Sequence, residues 1–148
     1  MKLNEIIDRI CVMSGRSSDR LASCMEEVRS GKGVRLFEAG KTESSVYFIS
    51  KGIARAYIPG PDGREVTFWI GKEGDALFSL KSYVHGIPGY ESIQLMEDSI
   101  LFKVEKDSLE RLFKEDIEIA NWGRKLAEKE FVNTPASLSR IRANIRRC

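Results

Sequence analysis

The chain has 148 residues, 42% hydrophobic, 31% charged and 9% aromatic, which fits one packed domain with a short appendage and excludes a disordered polypeptide. No apolar run approaches the roughly 18 residues of a membrane span, and Met1-Lys2-Leu3-Asn4-Glu5 reaches charge too early for a signal peptide, so a cytoplasmic protein without membrane contact is expected. The formal net charge of +2 hides an asymmetry, because residues 134–148 carry Arg140, Arg142, Arg146 and Arg147 without an acid and leave the body with 20 basic against 22 acidic residues.

In chain order, Leu3, Ile6, Ile7 and Ile10 recur at helical spacing. A Ser17-Ser18-Asp19 cap then leads into a second helix through Leu21, Met25 and Val28, stopped by Gly31 and Gly33. From Val34 the texture becomes short β-branched and aromatic runs between turn residues. Strands are expected at Val34–Glu38, Val46–Ser50, Ile53–Ile58, Glu65–Ile70, Ala76–Leu80, Ser92–Leu95 and Ser99–Val104. Alternation puts Val66, Phe68 and Ile70 on one face of their strand and Thr67 and Trp69 on the other. Gly60-Pro61-Asp62-Gly63 reads as a hairpin turn, since Asp and Gly tolerate positive φ. Strands at this spacing without intervening helices predict a mainly β fold with flanking helices, an antiparallel jelly-roll barrel.

After Val104 the period returns to helical. Glu105–Lys114 presents Leu109, Leu112 and Phe113, and Asp116 to Phe131 reads as a longer helix with Ile119, Trp122 and Leu126 in one stripe beside the small Gly123 and Ala127. That stripe has two uses: packing on its own barrel, or pairing with the same helix of a second subunit. The expected organisation is residues 1–115 for the N-terminal helices and sensor barrel, 116–133 for a dimerisation helix, and 134–148 for a remnant of a DNA-reading helix.

The words Leu36-Phe37-Glu38-Ala39-Gly40, Val46-Tyr47-Phe48-Ile49-Ser50-Lys51-Gly52, Asp62-Gly63-Arg64-Glu65-Val66-Thr67 and Glu73-Gly74-Asp75 resemble the cyclic-nucleotide-binding-type barrel of Crp/Fnr regulators, in the branch common in Bacteroidetes. The resemblance covers roughly residues 20–131. It implies a homodimer whose interface is the long helix, and hence that role for Ile119, Trp122 and Leu126. In the family a glutamate holds the ribose hydroxyl and an arginine followed by a small residue holds the cyclic phosphate. The matching positions here are Ser79 and the pair Glu91-Ser92. A carboxylate ~4 Å from a phosphate is repulsive by about 1 to 4 kcal/mol, so cyclic AMP is not expected to bind in the usual mode, no cofactor is expected, and the effector stays open. Phe78, Ser79, Leu80, Tyr90, Glu91 and Ser92, with Ile93, are candidates for lining a more apolar pocket; plain barrel filling is the alternative. His85, the lone histidine, reads as a surface residue rather than a haem or metal ligand.

Thr134-Pro135-Ala136-Ser137-Leu138-Ser139-Arg140-Ile141-Arg142 resembles the recognition helix of the family's helix-turn-helix. Thr134 can cap it, Pro135 suits its first turn, and Leu138, Ile141 and Ile145 form one apolar face. Ser137, Ser139, Arg140 and Arg142 are the candidate DNA contacts. Only Val132 and Asn133 separate this motif from the long helix, too few for a support helix and a turn. A segment missing between Asn133 and Thr134 is expected; the alternatives are a vestigial reader or an unrelated basic helix.

These residues lead to a DNA-binding transcription regulator, with a stand-alone sensory or interaction barrel as the alternative. Catalysis is not expected. Metal-dependent cupins share the jelly roll but take two or three histidines from the barrel interior, and no Ser-His-acid or Cys-His arrangement or phosphate loop can be assembled. Cys11, Cys24 and Cys148 are too few and too scattered for a disulfide framework, a zinc knuckle or an iron-sulfur cluster.

Overall fold

The computed structural model of the protein describes residues 1–133. Two short helices, α1 (Leu3–Ile10) and α2 (Gly15–Ser23), lead into eight strands: β1 (Glu26–Ser30), β2 (Arg35–Phe37), β3 (Val46–Lys51), β4 (Ala54–Pro59), β5 (Glu65–Gly71), β6 (Ala76–Leu77), β7 (Ser92–Leu95) and β8 (Ser99–Val104). Helix α3 (Leu80–His85) interrupts them, and α4 (Lys106–Glu115) and α5 (Ile117–Val132) close the described chain. The strands form two antiparallel four-stranded sheets, ordered β1-β8-β3-β6 and β2-β7-β4-β5. This is the expected jelly roll with a long helix leaving it.

The second helix is shorter than its apolar spacing predicts. Its cap is Ser14, whose Oγ accepts from Ser17 N, so Ser17 lies inside the helix. The helix ends before Met25, and Glu26–Ser30 pairs with β8 over five residues, setting Val28 opposite Leu101. Pairing along a neighbouring strand overrides a helical spacing that only Met25 and Val28 carry beyond Leu21. The run at Ala76–Leu80 also divides: β6 stops at Leu77 and α3 begins at Leu80, closed by Gly86 in the left-handed region at φ 66°.

On β5 the alternation breaks. Ala56 faces Trp69 while Tyr57 faces Thr67, leaving Phe68 as an extra residue in the ladder. Such a bulge turns the strand. Phe68 and Trp69 therefore both pack inward, and Ile70 is exposed rather than sharing the Phe68 face. The hairpin at residues 60–63 forms as expected: Gly63 takes φ 81°, and Asp62 Oδ1 accepts from Arg64 N at 3.1 Å.

Two apolar layers result. Between the sheets lie Phe37, Tyr47, Ile49, Ala54, Ala56, Leu77, Ile93, Leu95 and Leu101. The outer face of the first sheet, through Val46, Phe48 and Val104, meets Ile6, Ile7, Leu21, Leu109, Leu112, Ile119 and Trp122 of the helices. Burial on both faces of β3 explains why Val46–Ile49 is continuously apolar rather than alternating.

Candidate functional site

The residues from Ser79 to Ser92 form a cassette of α3 and the loop after it, held against the segment between β2 and β3. Gly40 N donates to Gly89 O at 2.9 Å and Ala39 N donates to Ser92 Oγ at 2.9 Å. Ser82 is fully buried: its Oγ accepts from Glu43 N at 3.2 Å and donates to Ile87 O at 2.9 Å, and its carbonyl accepts from Ser44 Oγ at 3.1 Å. Sequence reasoning missed Ser82, whose signal is a serine on the face of α3 that turns inward.

The candidates named from sequence do not converge on one apolar cavity. Phe78 packs against the helix-side core and Ile93 lies between the sheets. Leu80 is exposed, and Tyr90 stands at the surface with Lys81 Nζ 4.6 Å from its ring centroid. Ser79 and Glu91 do come near one another, since a Cβ built on Gly89 would stand 2.4 Å from Ser79 Oγ and 3.7 Å from Glu91 Cδ, while Ser92 Oγ is engaged with Ala39 N at 2.9 Å. Ser79 is buried, and its Oγ is the one buried side-chain polar atom among the described residues without a hydrogen-bond partner. His85 is exposed. A separate shallow groove of about 450 Å³ lies where β1 and β3 end and β8 begins, lined by Arg29, Lys51, Asp98 and Ile100 among others, and includes neither Ser79 nor Glu91.

The expectation for the dimer helix needs correction. Ile119 and Trp122 are 0% exposed within a single chain. Trp122 Nε1 donates to Ile7 O at 3.0 Å, its ring sits 5.9 Å from that of Phe48, and Leu126 packs against the same cluster. The stripe has been used on the chain's own barrel, because α1 and β3 present an apolar surface directly opposite. Gly123 serves the same packing: a Cβ there would lie 2.6 Å from the Phe113 ring. What α5 leaves outward is a different set, including Ile117, Ala127, Phe131 and Val132. Ser137, Ser139, Arg140 and Arg142 lie outside the described residues.

The start of α5 is tied to α2. Glu118 accepts from Ser14 N at 3.0 Å, Ser14 Oγ at 2.6 Å and Ser17 Oγ at 2.7 Å; Asp116 caps α5 and meets Ser17 Oγ at 2.8 Å; and Arg20 spans Glu115 and Asp116. The serine hydroxyls hold Glu118 down to a pKa of about 2, and Ser17 keeps Asp116 below its ordinary value. Because both folded values are depressed, their contribution is complete above the ordinary carboxylate range and is lost as pH falls toward 2. Urea midpoints measured between pH 6 and pH 2.5 are expected to fall less steeply for Glu118→Gln than for wild type. Parallel curves would show that the contacts do not persist in solution.

A family profile described as the cyclic nucleotide-binding domain matches residues 27–116. Among solved structures, a cyclic nucleotide-binding domain from Methylobacillus flagellatus KT superposes with a TM-score of 0.78 at 16% identity, covering 98% of this chain and 79% of that one. The N-terminal domain of a transcriptional regulator from Streptomyces coelicolor A3(2) gives 0.71 at 18% identity, covering 88% and 96%. At these identities the likeness concerns the fold. Patatin-like phospholipase domain-containing protein 6 of Mus musculus is 28% identical over 91 residues, 57% of this chain but 7% of that protein.

Proposed function

Because the chain belongs to the cyclic nucleotide-binding domain family, we propose that it is the sensor and dimerisation part of a DNA-binding transcription regulator of the Crp/Fnr type, with an effector other than cyclic AMP bound in the usual mode. The observation that carries this reading is α5: its inner stripe is consumed by the barrel, yet Ile117 and Phe131, 75% and 84% exposed, remain on its outside just before the arginine-bearing residues 134–148. The likeness to the N-terminal domain of a transcriptional regulator supports it. The words at Leu36–Gly40 and Asp62–Thr67 favour the branch common in Bacteroidetes. Cyclic AMP is disfavoured because Glu91 stands where the family carries arginine and Ser79 where it carries glutamate, so both of the ligand's anchoring charges are wrong.

Retardation of the upstream region of the protein's own gene tests DNA binding. Affinity should fall linearly on a log-log plot against salt, and Arg140→Ala or Arg142→Ala should each lower the slope by about 1. Salt-independent binding, or slopes unmoved by both substitutions, would sink the assignment of the tail as reader.

The second reading is a sensory or interaction barrel without DNA contact. The curated relative favours it, since the matched portion is 7% of that protein and a barrel of this length is there one part of a much longer chain. Under this reading no specific retardation occurs at any salt concentration.

A further inference from the structure

The loop after α3 closes over a hydroxyl that has nothing to bond. Ser79 is 3% exposed and its Oγ has no partner. Gly89 lies directly against it: a Cβ built on Gly89 would stand 2.4 Å from Ser79 Oγ, 3.6 Å from Ser79 Cβ and 3.7 Å from Glu91 Cδ. Hydroxyl and carboxylate thus converge on the one position of the inner loop edge that has no side chain. Among the described residues the peptide of Gly89 makes one hydrogen bond, from Gly40 N at 2.9 Å, and a second tether of the loop is Ile87 O, which accepts from Ser82 Oγ at 2.9 Å, so lifting it exchanges these two bonds for solvent. Desolvating a hydroxyl without compensation raises the free energy of the shut arrangement, and lifting the loop relieves it.

We propose that Gly86–Glu91 is a lid, shut here on Ser79, over a site for a small cationic molecule bearing an ammonium or guanidinium group. The proposal rests on the cassette being the effector site. Once the lid lifts, the groups it uncovers are a hydroxyl that can accept a hydrogen bond and a carboxylate that only accepts. Both suit an N–H donor, the carboxylate supplies its counter-charge, and the same carboxylate repels phosphate. Glycine at position 89 is what the shut state requires, for contact with Ser79 rather than for its φ.

A double-mutant cycle tests the lid without any ligand or DNA, so its failure is distinct from a failure of the regulator reading. Ser79→Ala should raise the melting temperature by removing the unpaired hydroxyl. Gly89→Ala should lower it and speed hydrogen exchange at the Gly40 amide about tenfold, while the double variant should return close to Ser79→Ala, because without Oγ the nearest atom to the new methyl is Ser79 Cβ at 3.6 Å. A lower melting temperature for Ser79→Ala, or Gly89→Ala equally damaging in both backgrounds, overturns the lid. For the ligand class, agmatine, which carries both cationic groups, is titrated against cyclic AMP on the wild-type protein. Agmatine should raise the melting temperature while speeding exchange at Gly40. That signature with cyclic AMP instead, or with neither, overturns the cationic assignment.

Discussion

Replacing Trp122 by alanine is expected to remove a large share of the folding free energy and to abolish a sharp melting transition. The side chain is fully buried and touches three layers at once: the Ile7 carbonyl of α1 through Nε1, the Phe48 ring of β3, and its own helix. Truncating a buried tryptophan costs about 3–5 kcal/mol, and the Ile7 carbonyl left without its donor adds about 1–3 kcal/mol. A domain of this size holds about 5–15 kcal/mol in all. Trp122→Phe separates the two parts, since it keeps most of the volume and loses only the hydrogen bond, so its melt should fall between the others. An alanine variant melting within a few degrees of wild type would mean that α5 is not packed on α1 and β3 as described.

That result bears on how much of the molecule could be read from its sequence. The strands at Val46, Glu65, Ser92 and Ser99 announce themselves through local composition, and the ends of α4 and α5 fall within a residue of expectation because Asp116 is both a break and a cap. What escaped is non-local. Met25 and Val28 continue a helical spacing from Leu21, and only the partner strand β8 decides that Val28 belongs to a sheet. The stripe Ile119, Trp122 and Leu126 was visible as a stripe, but its destination depends on whether the barrel offers an apolar surface of its own, which no local pattern states. At the cassette, the meeting of Ser79 with Gly89 depends on α3 folding the loop back over ten residues, so the family resemblance grouped Ser79, Glu91 and Ser92 without revealing that one hydroxyl would be stranded.

If the chain pairs through α5 as proposed, the committed inner stripe leaves only the other side of that helix for the contact, and Phe131→Asp is expected to leave the protein monomeric. Ile117 and Phe131 stand fourteen residues apart, two heptads, with Ala120, Arg124 and Ala127 at the intervening positions of a three-four spacing. Arg124 is satisfied along its own helix by Glu128, which leaves an alternation of apolar and small residues facing outward. Phe131 is 84% exposed in one chain, so a change there should alter the monomer's own stability by no more than about 0.5 kcal/mol. A buried carboxylate in a helix pair, by contrast, has no counter-charge and cannot be accommodated. Sedimentation should therefore give half the wild-type mass at equal concentration, with the melting curve of the dissociated chain retained. If two reader segments act together on paired half-sites, affinity for the operator should drop by about 10² to 10⁴ through loss of the second, intramolecular contact. A Phe131→Asp protein that still sediments as a dimer would place the interface elsewhere.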